Sequence, residues 1–469
     1  MELDTPETKK RDKYAFPSFP ETVDYFFNDV QQNAITWATQ GGLVANLMPS
    51  EVFSTALSFA RRVGFMEALG GEDVVVDEDW ERKLDAAVER DEGVREKVRA
   101  YCRLLGEQRG GILQRFMEVA WLGMVWDGVG LEGVREVWVG LVGVVPEEMW
   151  IGSVQRLSEL RNTVLTGTKV EGRMVAARAL GLVGSHEALA EDVLKATVEE
   201  AVAYAQGSGN ASGVEGAKVH GGMLALGYLL ARLKLRGRLN VLPKDTVLKA
   251  VDAIVNALLE ARDQTVLDAA IQSFSEICVF AVVDGEYFEN THSKILTRLS
   301  ELGKKGKEKA ILAIGYFSIV FPSDQTIVDG LLKALFAFHE NRQVEVNFAT
   351  GEAIACVAGG WQCKAIRGKV DLVGYDDTKI LDVTNTERLG KVVSMVMRKM
   401  SETKPSLRKA VCMWMLSLLE FCGEAKEVKE RLGEMQKGFR GYLVDRDRRI
   451  CIFFLVVLLF GGQRTIADG

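Results

Sequence analysis

The sequence predicts an all-α fold of stacked helix pairs, and three observations carry that prediction. A helical phrase with a large apolar residue flanked by small ones recurs past residue 160, and it recurs at a nearly constant interval. Only 8 prolines interrupt 469 residues, of which 48% are hydrophobic and 26% charged. A chain this long also exceeds what one core organises, since single cores stop growing near roughly 250–300 residues. Several domains or an elongated repeat must result.

The recurring phrases are EGRMVAARALGLVG (171–184), EGAKVHGGMLALGYLLARL (215–233), TVLDAAIQSFSEICVF (265–280), KEKAILAIGYFSIVF (307–321) and VEVNFATGEAIACVAGG (344–360). Aligned on Leu180, Leu226, Phe274, Ile314 and Ile354 they step by 46, 48, 40 and 40 residues. That is the two-helix period of HEAT and armadillo arrays. The segments between them, such as DTVLKAVDAIVNALLEARD (245–263) and QTIVDGLLKALFAFHENRQ (325–343), carry their own apolar spacing of three to four. Each repeat therefore has an outer and an inner helix, and the predicted fold is a HEAT/armadillo-like α-solenoid. A sixth phrase, KPSLRKAVCMWMLSLLEFCG (404–423), places Trp414 sixty residues beyond Ile354. Leu407, Val411, Trp414, Leu418 and Phe421 keep helical spacing there, and Pro405 suits a first turn.

The chain divides accordingly. Residues 1–22 read as a disordered arm or linker, 23–160 as divergent HEAT repeats, and 161–449 as the regular array. A polar insertion near 362–387 explains the long last step, and 450–469 reads as an aberrant apolar tail. Within the second segment GGEDVVVDEDWERKLDAAVERDE (70–92) reads as solvated acidic surface, and GSGNASG (207–213) is a flexible loop. The tail contains eleven consecutive apolar residues, Ile450 to Phe460. A bilayer-spanning helix takes about 20, so a buried or aberrant chain end is expected there and no membrane span. The amino terminus is charged and proline-bearing, without the apolar core of a secretory signal.

Chemistry-bearing motifs are sparse. With a formal net charge of −7 the chain lacks the basic footprint of a nucleic-acid binder. No Gly-Lys pair is followed by Ser or Thr, and no GxGxxG follows a strand signal, so phosphate loops, nucleotide cofactors and an enzymatic role are not expected. Cys102, Cys278, Cys356, Cys363, Cys412, Cys422 and Cys451 are scattered and odd in number, as reduced buried thiols are. Cys356 and Cys363 are seven apart, Cys412 and Cys422 ten apart, and neither pair has the two-to-four spacing of a zinc site. His186, His220, His292 and His339 are mutually distant in sequence. The Asn210-Ala211-Ser212 sequon is a chance match in a reducing compartment. Lys234, Arg236 and Arg238 follow a long helix whose dipole they complement. Lys304, Lys305, Lys307 and Lys309 form a solvated turn.

The glycine-rich phrase VEVNFATGEAIACVAGGW (344–361) is then a packing helix. Val346, Ala349, Ala353 and Cys356 share its inward face, Glu345 and Glu352 its outward face, and Gly359 with Gly360 ends it by relieving left-handed strain.

The phrases GRMVAARALG, VNFATGEAIACVAGGW and KPSLRKAVCMWMLSLLEFCG, with NAITWATQGGLVANLMPSEVF (33–53) more weakly, resemble those of the large HEAT-repeat proteasome adaptor and scaffold proteins, the ECM-type proteasome components of eukaryotes. The resemblance is clearest from about 160 to 447. It implies a central piece of a longer solenoid that binds proteasome core and regulatory particles without catalysis, tethers them, supports assembly or quality control, and works in cytoplasm and nucleus. After YLVDRD (442–447) the sequence leaves the family pattern, as a truncated or misread gene would. Two other classes share the architecture: a HEAT-repeat nuclear transport receptor or other protein-interaction solenoid, and the helical array of a larger enzyme.

The assigned register is testable. Ala353→Trp overpacks the inward face and costs about 1–3 kcal/mol in chemical denaturation, whereas Glu352→Gln is close to neutral.

Overall fold

The computed structural model describes residues 18–25, 49–70, 77–108, 111–125, 132–142, 144–145, 147, 150–167, 169–207, 211–370 and 386–443. Every regular element among them is a helix, and the fold is all-α and HEAT/armadillo-like. The described residues fall into two compact units, one ending at Ala190 and the other beginning at Glu191. Most of the expected arm (1–17), Asn210 of the sequon, Cys451, the middle of the insertion (371–385) and the apolar tail (450–469) lie outside the described residues. No described helix is long and apolar enough to cross a membrane.

The first unit contains α1 (Phe19–Tyr25), α2 (Pro49–Ala68), α3 (Trp80–Arg90), α4 (Glu92–Gln108), α5 (Ile112–Val125), α6 (Glu132–Val142), α7 (Leu157–Thr166) and α8 (Val170–Gly184). Helix α5 pairs with α6 and α7 with α8, while α2, α6 and α8 pack in a row. The rings of Trp121, Trp138, Trp150 and His186 meet edge-on in series, at centroid separations of 5.2, 6.2 and 5.5 Å. Phe19 stacks against Phe116 at 5.5 Å and fills the space beside Gly64, so packing begins inside the segment expected to be an arm. The acidic stretch is likewise only partly surface. Leu84 and Val88 of α3 are buried, and Asp85 pairs with Arg61 and Arg62 of α2 at 2.5 and 2.7 Å.

The second unit is a stack of helix pairs. Outer helices α9 (Glu191–Ala205), α11 (Lys244–Glu260), α13 (His292–Lys304) and α15 (Gln325–Ala337) alternate with inner helices α10 (Gly213–Leu235), α12 (Gln264–Val279), α14 (Glu308–Phe317) and α16 (Val344–Gly359). A short α17 (Lys364–Arg367) and an outer α18 (Thr386–Arg398) precede the inner α19 (Pro405–Cys422), and α20 (Lys426–Lys429) and α21 (Leu432–Leu443) follow. The inner helices α10, α12, α14, α16 and α19 form one row in which each packs on the next; α9, α11, α13 and α15 form another. The five repeat phrases from 171 onward thus fall on α8, α10, α12, α14 and α16, and the sixth on α19. Asp263 caps α12 by accepting from the backbone N–H groups of Thr265 and Val266, and Asp324 caps α15 through that of Ile327. Pro405 opens α19, where its missing N–H costs nothing.

Small residues set the spacing of the inner row. A Cβ on Gly227 of α10 would lie 2.6 Å from Ser273 Cα on α12, and one on Gly315 of α14 would lie 2.8 Å from Ala353 Cα on α16. One on Gly351 would meet the Ser417 side chain and come within 3.1 Å of Trp414 Cα on α19. Ser273 adds a bond across the first of these contacts, its hydroxyl donating to the Met223 carbonyl at 2.8 Å. Large rings from α12, α14 and the segments that follow them interlock: Phe317 lies 5.2 Å from Phe274 and 5.1 Å from Phe288 and Phe321.

At the end of α16 the two glycines divide the task expected of both. Gly360 has φ +49° and takes the conformation that L residues resist. Gly359 has φ −92°, and its need is space, since a Cβ there would lie 2.8 Å from Cys422 Sγ.

Gly315→Val forces the α14 and α16 backbones apart and destabilises the fold by about 1–3 kcal/mol. Gly330, within α15, has nothing within 4 Å of its Cβ position; Gly330→Ala instead gains roughly 0.5–1 kcal/mol of helix stability. Urea denaturation of both variants checks the pair.

Candidate functional site

The histidines and basic clusters resolve into structural roles. His186 is buried, with Nε2 3.1 Å from Glu147 Oε1 and Nδ1 accepting from the Ala188 N–H at 3.0 Å. His220 is buried in α10. His292 and His339 each place Nδ1 against a nearby backbone carbonyl, Glu289 at 2.8 Å and Phe336 at 2.9 Å. Lys234 lies in the last turn of α10 and Arg236 at its C-cap, as the helix dipole favours. Lys307 reaches Asp268 of α12 at 3.6 Å, while Lys304, Lys305 and Lys309 are exposed.

What the fold brings together lies along the inner row of the second unit. Arg232 of α10 and Glu276 of α12 form an ion pair with only 2% and 4% of their side chains exposed. Such a pair is tolerable only when its remaining groups are satisfied. The guanidinium lies over the Tyr228 ring at 5.2 Å and the Phe280 ring at 5.0 Å, and the Gln272 amide donates to Glu276 at 3.2 Å. Phe280 in turn meets Trp361 at 5.9 Å.

Tyr316 of α14 borders this pair. Burial pushes its hydroxyl well above the usual phenol range, and the nearby Cys356, Glu352, Cys363 and Glu276 push it further. The Lys369 ammonium lies over its ring at 5.7 Å.

Beyond Tyr316 three thiols meet. Cys356 sits in the last turn of α16, Cys363 at the N-cap of α17, and Cys422 at the end of α19. The sulfurs of Cys356 and Cys363 are 3.9 Å apart, and Cys422 Sγ is 3.7 Å from the Ala355 carbonyl. All three side chains are buried. Burial opposes ionisation of Cys363, yet hydrogen bonding from the Cys356 and Cys422 thiols and the backbone N–H groups of Ala365 and Ile366 outweighs it and holds that thiol well below the usual range. Cys356 is raised by burial and by Cys363, and Cys422 by its hydrogen bond to Cys363 and by burial. The isolated thiols behave otherwise: burial alone pushes Cys102 and Cys412 up to about 12, and Cys278 well above its usual value.

Among the described residues no group of three or more His, Cys, Asp or Glu side chains is arranged to hold a metal ion. The sequence reading missed the thiol trio because Cys422 lies in the next repeat. Its signal was available: Cys356 and Cys422 both end adjacent inner helices, and ends of adjacent inner helices are neighbours.

No family model matches the chain. Curated relatives do. It is 25% identical over 345 residues to the human "Proteasome adapter and scaffold protein ECM29", covering 68% of this chain and 18% of that protein. It is 22% identical over 226 residues to the "Proteasome component ECM29" of Saccharomyces cerevisiae, covering 48% and 12%. The "Proteasome component ecm29" of Schizosaccharomyces pombe matches at 22% over 208 residues. The match thus spans less than a fifth of each of these relatives' length. Among solved structures, yeast importin-beta (Kap95p) aligns over 94% of this chain and 57% of its own at 10% identity and TM-score 0.48. Kap121p bound to Pho4p aligns over 97% and 47% at 11% identity and TM-score 0.39.

Glu276→Ala leaves the Arg232 charge buried without its partner and destabilises the protein by about 3–5 kcal/mol. Replacing both, Arg232→Met with Glu276→Leu, recovers most of that loss, as equilibrium denaturation of the single and double variants will show.

Proposed function

We propose, from its homology to the ECM29 proteasome adaptor and scaffold proteins, that this chain is a non-catalytic segment of a proteasome-binding scaffold. The observation that carries the reading is the set of matches to three such proteins from human and two yeasts, extending over as much as 68% of the chain. The finer proposal is that it contributes to tethering core and regulatory particles and to assembly or quality control, in cytoplasm and nucleus. Helix-pair stacking supports a role of this kind, because each added repeat extends the contact surface without demanding a single larger core. Binding would draw on a few well-packed anchors with the remainder supplying fit. On the inner row Phe348 offers such an anchor, 40% exposed on α16 between Glu345 and Glu352.

Affinity capture of the tagged chain from native lysate, beside a chain truncated after Asp447, tests the reading. Enrichment of proteasome core and regulatory subunits by both is expected, followed by direct binding to purified proteasomes. Phe348→Ala should weaken that binding roughly tenfold or more while leaving the unfolding curve unchanged. Capture of transport GTPases or nucleoporins in place of proteasome subunits would replace this reading with that of a nuclear transport receptor.

A further inference from the structure

We infer that Cys356, Cys363 and Cys422 form an oxidation site in which a hydroperoxide converts Cys356 and Cys363 into a disulfide, with Cys422 positioning Cys363.

The geometry distinguishes these thiols from the other described cysteines. Cys356 and Cys363 are already in sulfur contact at 3.9 Å, and the Gly359-Gly360 turn between them is a short 3-10 segment that can adjust more readily than two packed helices. Cys422 approaches from a third element, and Gly359 is the residue that leaves room for its sulfur. Cys412 belongs to a different cluster, packed with Tyr442, Met400, Leu416 and Phe439. Cys278 and Cys102 stand in apolar surroundings that favour the inert thiol. Among the described thiols Cys363 is the one whose neighbours, the Cys356 and Cys422 thiols and the backbone N–H groups of Ala365 and Ile366, favour the thiolate, the form that attacks peroxides.

The chemistry balances with peroxide as the only added reagent. Cys363 attacks one peroxide oxygen, the O–O bond breaks, and sulfenic acid and water form. The Cys356 sulfur then attacks the sulfenic sulfur, forming the S–S bond and breaking S–O; the hydroxide leaves with the thiol proton as a second water. Two thiols and one hydrogen peroxide yield a disulfide and two waters, and the sulfurs surrender two electrons. Because all three thiols are buried, peroxide arrives through local opening of the turn around Trp361, and the rate reports that opening.

Peptide mapping of the full chain decides the matter. Trypsin leaves Cys356 and Cys363 together in residues 343–364, and Cys412 with Cys422 in 410–426. The reduced protein is exposed to graded hydrogen peroxide, unfolded in N-ethylmaleimide, digested without reductant and weighed. The expected result is a 343–364 peptide that has lost two hydrogens and accepts no maleimide, at peroxide levels where Cys102, Cys278 and Cys412 remain fully alkylated. Cys422→Ser should slow this conversion and Cys412→Ser should leave it unchanged, with circular dichroism confirming that both fold. Cys356 and Cys363 staying as alkylatable as Cys278 would overturn the inference. So would a disulfide within 410–426, or oxidation of Cys363 that proceeds to sulfinic acid with Cys356 still free.

Discussion

The distance between neighbouring inner helices is the constraint on which the second unit depends. Gly227 against Ser273, Gly315 against Ala353 and Gly351 against Ser417 are contacts in which a side chain on one helix meets bare backbone on the next. Interiors pack to crystal-like density, so a larger residue at any of these positions must move a whole helix. Large rings gather where no such close approach occurs, with Phe274 of α12, Phe317 of α14 and Phe288 of the segment before α13 interlocking.

That geometry also explains where polar groups are tolerated inside. Close helix contact excludes water from Arg232 and Glu276, which raises the cost of either charge alone and strengthens their attraction together. A one-residue slip of α10 against α12 would remove the partner and turn the guanidinium away from Phe280 at the end of α12. Apolar contacts between these helices are less selective, because one aliphatic residue substitutes readily for another. The ion pair therefore opposes slippage that the hydrophobic surfaces alone would permit. A comparable tie restores the stack after the polar insertion: the buried Arg388 at the start of α18 donates to the backbone carbonyls of Phe321 and Pro322, at 2.9 and 2.5 Å.

The repeat was legible in the sequence because it is written in a local code. Val346, Ala349, Ala353 and Cys356 fall on one face by helical period alone, and all four are buried; of the two carboxylates expected outward, Glu345 is exposed but Glu352 is half-buried near Tyr316. Pro405 and the phrase around Trp414 predicted α19 for the same reason. The acidic stretch reads as surface by composition, yet Leu84 and Val88, four apart, mark an inward face that its many carboxylates obscure. Gly359 reads from sequence as a residue that relieves backbone strain, but its role is steric, a distinction that exists only once Cys422 stands beside it. Arg232 with Glu276 is not legible, because the two are separated by a whole repeat and carry no spacing rule; for the thiol trio the one signal is that Cys356 and Cys422 end adjacent inner helices.

The same distinction bears on how a helical stack acquires chemistry. Within one repeat, inner-helix positions answer chiefly to packing, and the code there is nearly uniform from Leu180 to Trp414. Between repeats, the ends of adjacent inner helices converge at turns such as Gly359-Gly360-Trp361, where backbone conformation is less regular and polar atoms of three elements come within reach. Cys356, Cys363 and Cys422 occupy that position, and Tyr316 with Lys369 borders it. A substitution there alters thiol reactivity while leaving the helix rows in place, whereas one at Gly315 or Ala353 displaces the rows themselves. Function can therefore diverge at the turns of such an array long before its repeat pattern becomes unrecognisable.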